Sequence, residues 1–195
     1  MSFLNEEYPD LMWDGEEKLP LIVSFGAGVD STAVLVEMHN RGIRPDYIIF
    51  SDTGAERPDI YAHIERVNKW LSTVDFPQVS MVVNLKGGKP FTLLDHVTKY
   101  KDFPSLAYGF KSCSIEYKIR PVERFIKNQG IDRNIQVIGY GTGEIDRAIK
   151  ALGSAQKIRD KKKRESTKMK MRVLWFPLID WKLNRDQCKE LSKTV

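Results

Sequence analysis

The chain has 195 residues, 42% hydrophobic and 29% charged, a balance that suits one globular domain with a sizeable core. No run is long and apolar enough to span a bilayer, so no membrane association is expected. The net charge of +5 is concentrated: Lys157 to Arg172 holds nine Lys/Arg against two acids, which leaves the rest of the chain slightly acidic. Such a block suits a nucleic acid or another polyanion, and equally a solvated loop. Two cysteines, Cys113 and Cys188, provide neither a disulfide framework nor a CxxC ligand pair. An iron–sulfur cluster is therefore not expected, and a reducing cytoplasm is.

Residues 1–18 read as an irregular N-terminal arm, with Tyr8, Leu11, Met12 and Trp13 able to pack on the body. Met1 to Asp14 lacks the basic and apolar regions of a secretory leader. The body, 19–195, opens with the apolar strand Leu19 to Phe25. There follow Ser24-Phe25-Gly26-Ala27-Gly28-Val29-Asp30-Ser31-Thr32 and a helix ending near Arg41-Gly42. Strand, glycine turn and hydroxyl-rich helix start make an anion cradle. Gly26 and Gly28 allow close backbone approach and positive φ, and Ser31 and Thr32 sit where the helix dipole favours negative charge. A plain capped strand-to-helix turn would read the same way.

Asp46 to Phe50 is a second apolar strand, running into Ser51-Asp52-Thr53-Gly54-Ala55-Glu56-Arg57-Pro58. Asp52 and Glu56 suit either a ligand site at a strand's carboxyl end or a helix cap ahead of Pro58. In the next helix Ile60, Ile64, Val67 and Leu71 recur at helical spacing. Gln78 to Leu85 alternates as a third strand and ends in the loop Lys86-Gly87-Gly88-Lys89-Pro90. Phe91 to Tyr100 reads as a helix that buries Leu94 and Val97, and Asp102 to Phe110 as a loop. Ile115 to Asn128 reads as a helix broken at Pro121. Cys113 at its start is either a reactive thiol or a small packed residue.

Ile135 to Tyr140 is a fourth strand, ending in Gly139-Tyr140-Gly141-Thr142-Gly143-Glu144 before the helix Ala148 to Ala155. The basic segment 157–172 interrupts the pattern ahead of a fifth strand, Val173 to Leu178, and a last helix starts at Asn184. Repeated strand–helix units predict an α/β fold with a doubly wound, five-stranded, mainly parallel sheet. One rim of that sheet carries Gly26–Ser31, Asp52–Glu56 and Gly139–Arg147.

Four segments in order resemble the adenine nucleotide α-hydrolase superfamily, the PP-loop ATP pyrophosphatases, and within it the phosphoadenosine phosphosulfate (PAPS) reductase-like family. They are residues 24–31, 50–58, Cys113-Ser-Ile-Glu-Tyr-Lys-Ile-Arg-Pro121 and Phe176-Pro-Leu-Ile-Asp-Trp181. The resemblance implies a Rossmann-like sheet of the PP-loop type. It implies an ATP-binding enzyme that uses Mg2+, cleaves between the α- and β-phosphates, adenylates a substrate and releases pyrophosphate. It places nucleotide phosphates on Gly26, Ala27, Gly28, Asp30, Ser31 and Thr32, with adenosine flanked by Ser24 and Phe25. Asp52 and Thr53 would lie near the sugar or a metal, and Gly141, Glu144, Lys118 and Arg147 would complete the site. Asp30, Ser31, Lys118 and Arg147 are the expected catalytic set, with Asp30 the candidate Mg2+ ligand. Two alternatives remain: a sulfonucleotide reductase or sulfurtransferase using Cys113, and a nucleic-acid-binding module on a nucleotide fold.

The departures from the family pattern are specific. Gly26 stands where the loop has its first serine, Ala27 where it has a glycine and Val29 where it has a lysine. Lys118, Arg147 and the basic block are the cations named in place of that lysine. The Glu-Cys-Gly-x-His signature of the reductases does not occur in residues 1–195, so thioredoxin-linked reduction is not expected.

Overall fold

The computed structural model describes residues 3–103, 112–164 and 172–195. Much of the expected loop Asp102 to Phe110 and the stretch 165–171 of the basic segment lie outside the described residues. The elements are α1 (Phe3–Glu7), β1 (Leu21–Ser24), α2 (Val29–Asn40), β2 (Tyr47–Asp52), α3 (Pro58–Thr73) and β3 (Val79–Val83). A hairpin of β4 (Leu85–Lys86) and β5 (Lys89–Pro90) precedes α4 (Leu93–Tyr100) and α5 (Ser112–Ser114). A π-turn (Ile115–Ile119) leads into α6 (Arg120–Asn128), β6 (Asn134–Ile138), a 3-10 turn (Thr142–Glu144) and α7 (Ile145–Arg164). The chain closes with β7 (Arg172–Trp175), α8 (Pro177–Asp180) and α9 (Arg185–Ser192).

Five strands form one parallel sheet in the order β3-β2-β1-β6-β7. The chain winds outward from β1 through β2 and β3, then returns to the other side of β1 with β6. The β1–β6 boundary is therefore the switch point, the crevice where doubly wound sheets hold ligands. Val23, Ile48, Phe50, Val137 and Trp175 pack with α2, α3 and α9 on one face. On the other, Ile22 and Ile49 meet Val122 of α6, and Leu174 and Phe176 meet α7 and the N-terminal arm. Each fully covered apolar side chain in these layers contributes roughly 1.5–3 kcal/mol.

The arm is more ordered than its sequence suggests. Leu4, Leu11 and Met12 are buried, and Met12 bridges in parallel to Leu174, extending the sheet edge at β7. In α3, Ile64, Val67 and Leu71 are buried as their spacing predicts. Arg41 caps α2 and Gly42 follows at φ +67°, the left-handed stop expected there.

Several expectations are corrected. Gly26 and Gly28 do not occupy positive φ; the left-handed residue of the loop is Ala27, at φ +52°. The third strand is shorter than 78–85, because Gly87 and Gly88, at φ +58° and +78°, close a hairpin within the expected loop. Leu94 is 58% exposed, since α4 turns Leu93 and His96 inward instead. The expected break in 115–128 is a π-turn ahead of Pro121, which takes the first turn of α6, where a missing N–H costs nothing. The helix before the basic segment runs on to Arg164, so the segment's first half is helical.

Candidate nucleotide site

β1 delivers its last residues into the switch point. Phe25 donates its N–H to Ile49 O at 2.9 Å and buries its ring in the core, so only its backbone faces the rim. Ser24 accepts from Gln136 Nε2 at 2.9 Å, tying the end of β1 to β6. Gly26 and Gly28 are exposed, and Ala27 is buried. Gly28 caps α2. Ser31 Oγ accepts from Gly28 N at 3.1 Å and donates to Gly28 O at 3.0 Å, closing the loop on itself. The N–H groups of Val29, Asp30 and Ser31 have no carbonyl ahead of them in the helix, which leaves donors directed at the crevice.

The end of β6 closes on the same helix start. A Cβ on Gly139 would stand 3.2 Å from Ser31 N and 3.3 Å from Asp30 C and O. A glycine there lets two strand ends and one helix N-terminus converge. Beyond it, Tyr140 stacks on Phe176 with centroids 5.6 Å apart, and the Arg147 guanidinium lies 4.5 Å over the Tyr140 ring. Arg147 also pairs with Glu144. Gly141 caps the 3-10 turn, and Thr142 N donates to Leu183 O at 3.2 Å.

Asp30 Oδ2 pairs with Arg185 at the start of α9. Asp30 Oδ1 is buried with no hydrogen-bond partner among the described residues. The buried thiol of Cys188 is pushed up to about 11, first by burial and then by the nearby Asp30 charge, and is therefore protonated at neutral pH. Thr32 is buried, and its hydroxyl lies 2.9 Å from His63 Nε2. Arg66 Nη2 sits 3.3 Å from His63 Nδ1, and an arginine only donates, so Nδ1 accepts and Nε2–H donates to Thr32. Burial, then Arg66, holds His63 below the usual imidazole range.

The β2 end forms a separate polar cluster. Asp52 Oδ1 accepts from Gly54 N at 2.7 Å and from Tyr61 Oη at 2.8 Å, and burial with Asp52 pushes the Tyr61 phenol to about 12. Thr53 Oγ1 donates to Glu56 Oε1 at 2.9 Å, and Lys118 Nζ lies 3.9 Å from the same oxygen. Ser51 Oγ donates to Tyr117 O at 2.8 Å, holding the π-turn that carries Lys118 against β2. Cys113 is half-buried one turn earlier.

The structure thus brings Gly139, at the end of β6, against Asp30 and Ser31 at the start of α2. It sets Asp52, Thr53, Glu56 and Lys118 on the same rim as a neighbouring cluster. Sequence reasoning missed Arg185, Tyr61 and His63; no local motif marks them, since each acts across elements. The basic block is partly absorbed into the fold. Arg159 pairs with Asp10 at 2.7 Å, and Arg172 lies 3.6 Å from Glu123 and bonds Gln136. At the opposite, amino ends of the strands a cleft of about 190 Å3 is lined by Asp10, Trp13, Glu17, Arg133 and Arg159.

The donor set fits a phosphate: helix-start N–H groups, exposed glycines and nearby cations. For a metal it is sparser, because no group of three or more His, Cys, Asp or Glu able to hold an ion occurs among the described residues. No described helix is long and apolar enough to cross a membrane.

No family model and no curated protein matches the sequence. Solved structures do match. The phosphoadenylyl-sulfate (PAPS) reductase from Candida auris, in a phosphate complex, is similar at 17% identity and a TM-score of 0.54, over 98% of this chain and 83% of that one. The U34-tRNA thiolase NcsA from Methanococcus maripaludis, with its 4Fe-4S cluster, is similar at 14% identity and a TM-score of 0.57. That match covers 97% of this chain but 62% of the thiolase. The chain therefore has the fold shared by the PAPS reductase and U34-tRNA thiolase structures.

Proposed function

We propose that this chain is a PP-loop enzyme of the PAPS reductase-like kind, which binds ATP and adenylates an acceptor. The carrying observation is the convergence at the switch point, where Gly139 of the β6 end lies against Asp30 and Ser31 at the start of α2. The shared fold supports the reading, as does the phosphate complex of the reductase neighbour. In the proposed reaction an acceptor nucleophile attacks the α-phosphorus. The bond from that phosphorus to the bridging oxygen breaks, and pyrophosphate leaves. Positioned N–H donors and cations stabilise the oxyanion charge that develops.

Gly26, Ala27, Gly28 and Ser31 hold the phosphates in this proposal, through backbone N–H groups in the main. Thr32 and Phe25 shape the loop from behind: both side chains are buried, and their N–H groups donate to Gly28 O and Ile49 O. Ser24 flanks the adenosine, Asp52 and Thr53 face the sugar, and Lys118, Arg147, Gly141 and Glu144 border the reacting groups. Mg2+ binds chiefly through substrate phosphates and water, so a single carboxylate, Asp30, is a sufficient protein ligand. The proposal involves no iron–sulfur cluster: Cys188 is buried and Cys113 sits on a separate element.

Calorimetric titration with ATP, ADP and PAPS is the direct test. ATP binding accompanied by acceptor-dependent pyrophosphate release is expected, and the absence of binding by all three nucleotides rejects the proposal. A second reading takes a nucleic acid as the acceptor and Cys113 as a sulfur carrier, favoured by the basic run Lys157–Arg164 on α7 and by the tRNA-modifying neighbour. It predicts salt-sensitive RNA binding and a Cys113→Ser variant without turnover; an unaltered rate rejects it.

A further inference from the structure

Building on the nucleotide reading above, we propose that Arg185, at the start of α9, is the phosphate-binding cation of the β1 loop. It would take over the charge that the loop lacks at Val29. Its guanidinium pairs with Asp30 Oδ2, a carboxylate in the first turn of α2. That carboxylate places negative charge beside the N–H groups that would receive a phosphate. Left alone it would repel the ligand; paired with a cation, it leaves a neutral mouth that the helix start makes attractive.

The position of Arg185 is built rather than incidental. Asn184 caps α9, with Oδ1 accepting from Asp186 N and Gln187 N at 3.0 Å each. One residue earlier, Leu183 O accepts from Thr142 N at 3.2 Å and stands 3.4 Å from where a Cβ on Gly141 would lie. The chain before Arg185 is thus stitched to the β6 loop, while Arg185 itself reaches the β1 loop. The cation thus reaches the β1 loop from a segment anchored on the β6 loop.

Exposure separates the partners. The Arg185 side chain is 58% exposed and that of Asp30 is 18% exposed, so an incoming anion meets the guanidinium first. An arginine presents five N–H groups in a planar fork, which lets one guanidinium serve a carboxylate and a phosphate together. Of the cations named from sequence, Lys118 and Arg147 make their ion pairs away from residues 26–32. Lys118 lies by Glu56, and Arg147 pairs with Glu144 and covers Tyr140. Among the described residues, Arg185 is the cation that the ion pairs place on residues 26–32.

The test is calorimetry with ATP and with adenosine on the wild-type chain, Arg185→Gln, Arg185→Lys and the double variant Asp30→Asn/Arg185→Gln. Arg185→Gln is expected to weaken ATP about tenfold or more and adenosine less than about twofold, because it removes one charge-assisted contact to phosphate. Arg185→Lys should recover part of the loss. The double variant leaves no unpaired carboxylate, so its thermal stability should return towards wild type while ATP remains weak. Equal ATP affinity in wild type and Arg185→Gln overturns the inference. So does an equal loss for ATP and adenosine, which marks a purely structural role. Failure of wild type to bind ATP overturns the nucleotide reading, and this inference with it.

Discussion

Replacing Gly54 with alanine isolates the backbone geometry that holds the β2 end. Gly54 sits at φ +69°, a conformation that costs a residue with a Cβ about 1 kcal/mol or more. The added Cβ would lie 2.5 Å from Thr92 Cβ, 2.6 Å from Cγ2 and 2.8 Å from Oγ1. Ordinary carbon–carbon contact needs roughly 3.5–4.0 Å, so one of the two chains must move. Thr92 is not free to swing. Its Oγ1 accepts from Asp95 N at 3.1 Å and donates to Asp95 Oδ2 at 2.8 Å, capping α4. Losing such a cap costs about 1 kcal/mol, while alanine returns roughly 0.4–1 kcal/mol by restricting the unfolded chain. Gly54→Ala should therefore destabilise by about 1–2 kcal/mol, lowering the melting temperature by about 2–8 °C. Urea unfolding followed by circular dichroism reads this as a lower midpoint at unchanged slope. A midpoint indistinguishable from wild type would refute the steric and conformational reasoning together.

Gly26→Ala makes the opposite case. Its Cβ would find only Ser31 Oγ, at 4.0 Å, so stability should hold within about 0.5 kcal/mol while ATP affinity falls, because the methyl occupies the crevice where a phosphate would approach. Cys188 should resist alkylation at pH 8 in the native chain, so a thiol reagent labels at most Cys113 until urea is added. Its raised pKa also sets a pH window. The unfolded thiol ionises near its model-peptide value of about 8.5–9 and the folded one near 11, so stability is retained below pH 9 and lost as pH rises towards 11. Comparison of wild type with Cys188→Ala at pH 8 and pH 10 should show a shallower loss in the variant. For His63 the sign reverses: its depressed pKa contributes stability above about pH 6.5 that is lost as the pH falls further, and His63→Gln should flatten that acid limb in thermal melts.

Much of the sheet was legible because central parallel strands are read by apolar runs alone. Leu19–Phe25 contains β1, while Asp46–Phe50 and Ile135–Tyr140 overlap most of β2 and β6, and the strand–helix alternation pointed to the parallel sense. The polar strand ends were legible for the same reason: topology puts carboxyl ends on one rim whatever their chemistry. Side chains that work across elements were not. Arg185 and Asp30 are 155 positions apart, and only the packing of α9 on α2 makes them neighbours. Glycine count misled at the loop, where Ala27 takes the left-handed conformation between two glycines that do not. Within 157–172, Arg159 and Arg172 pair with Asp10 and Glu123, ties across elements that charge density alone does not show. In α4, of the two residues expected in the core, Leu94 is exposed and Val97 is half-buried, for the eight residues of the helix offer few positions from which to choose a stripe.

Amide chemical shifts followed during ATP titration test the central claim most directly, because they read the loop rather than the whole chain. The account predicts that Gly26, Gly28, Asp30, Ser31 and Gly139 shift first and most. Shifts centred instead on Trp13, Glu17 and Arg133 at the opposite cleft, or no shifts at saturating ATP, would contradict it.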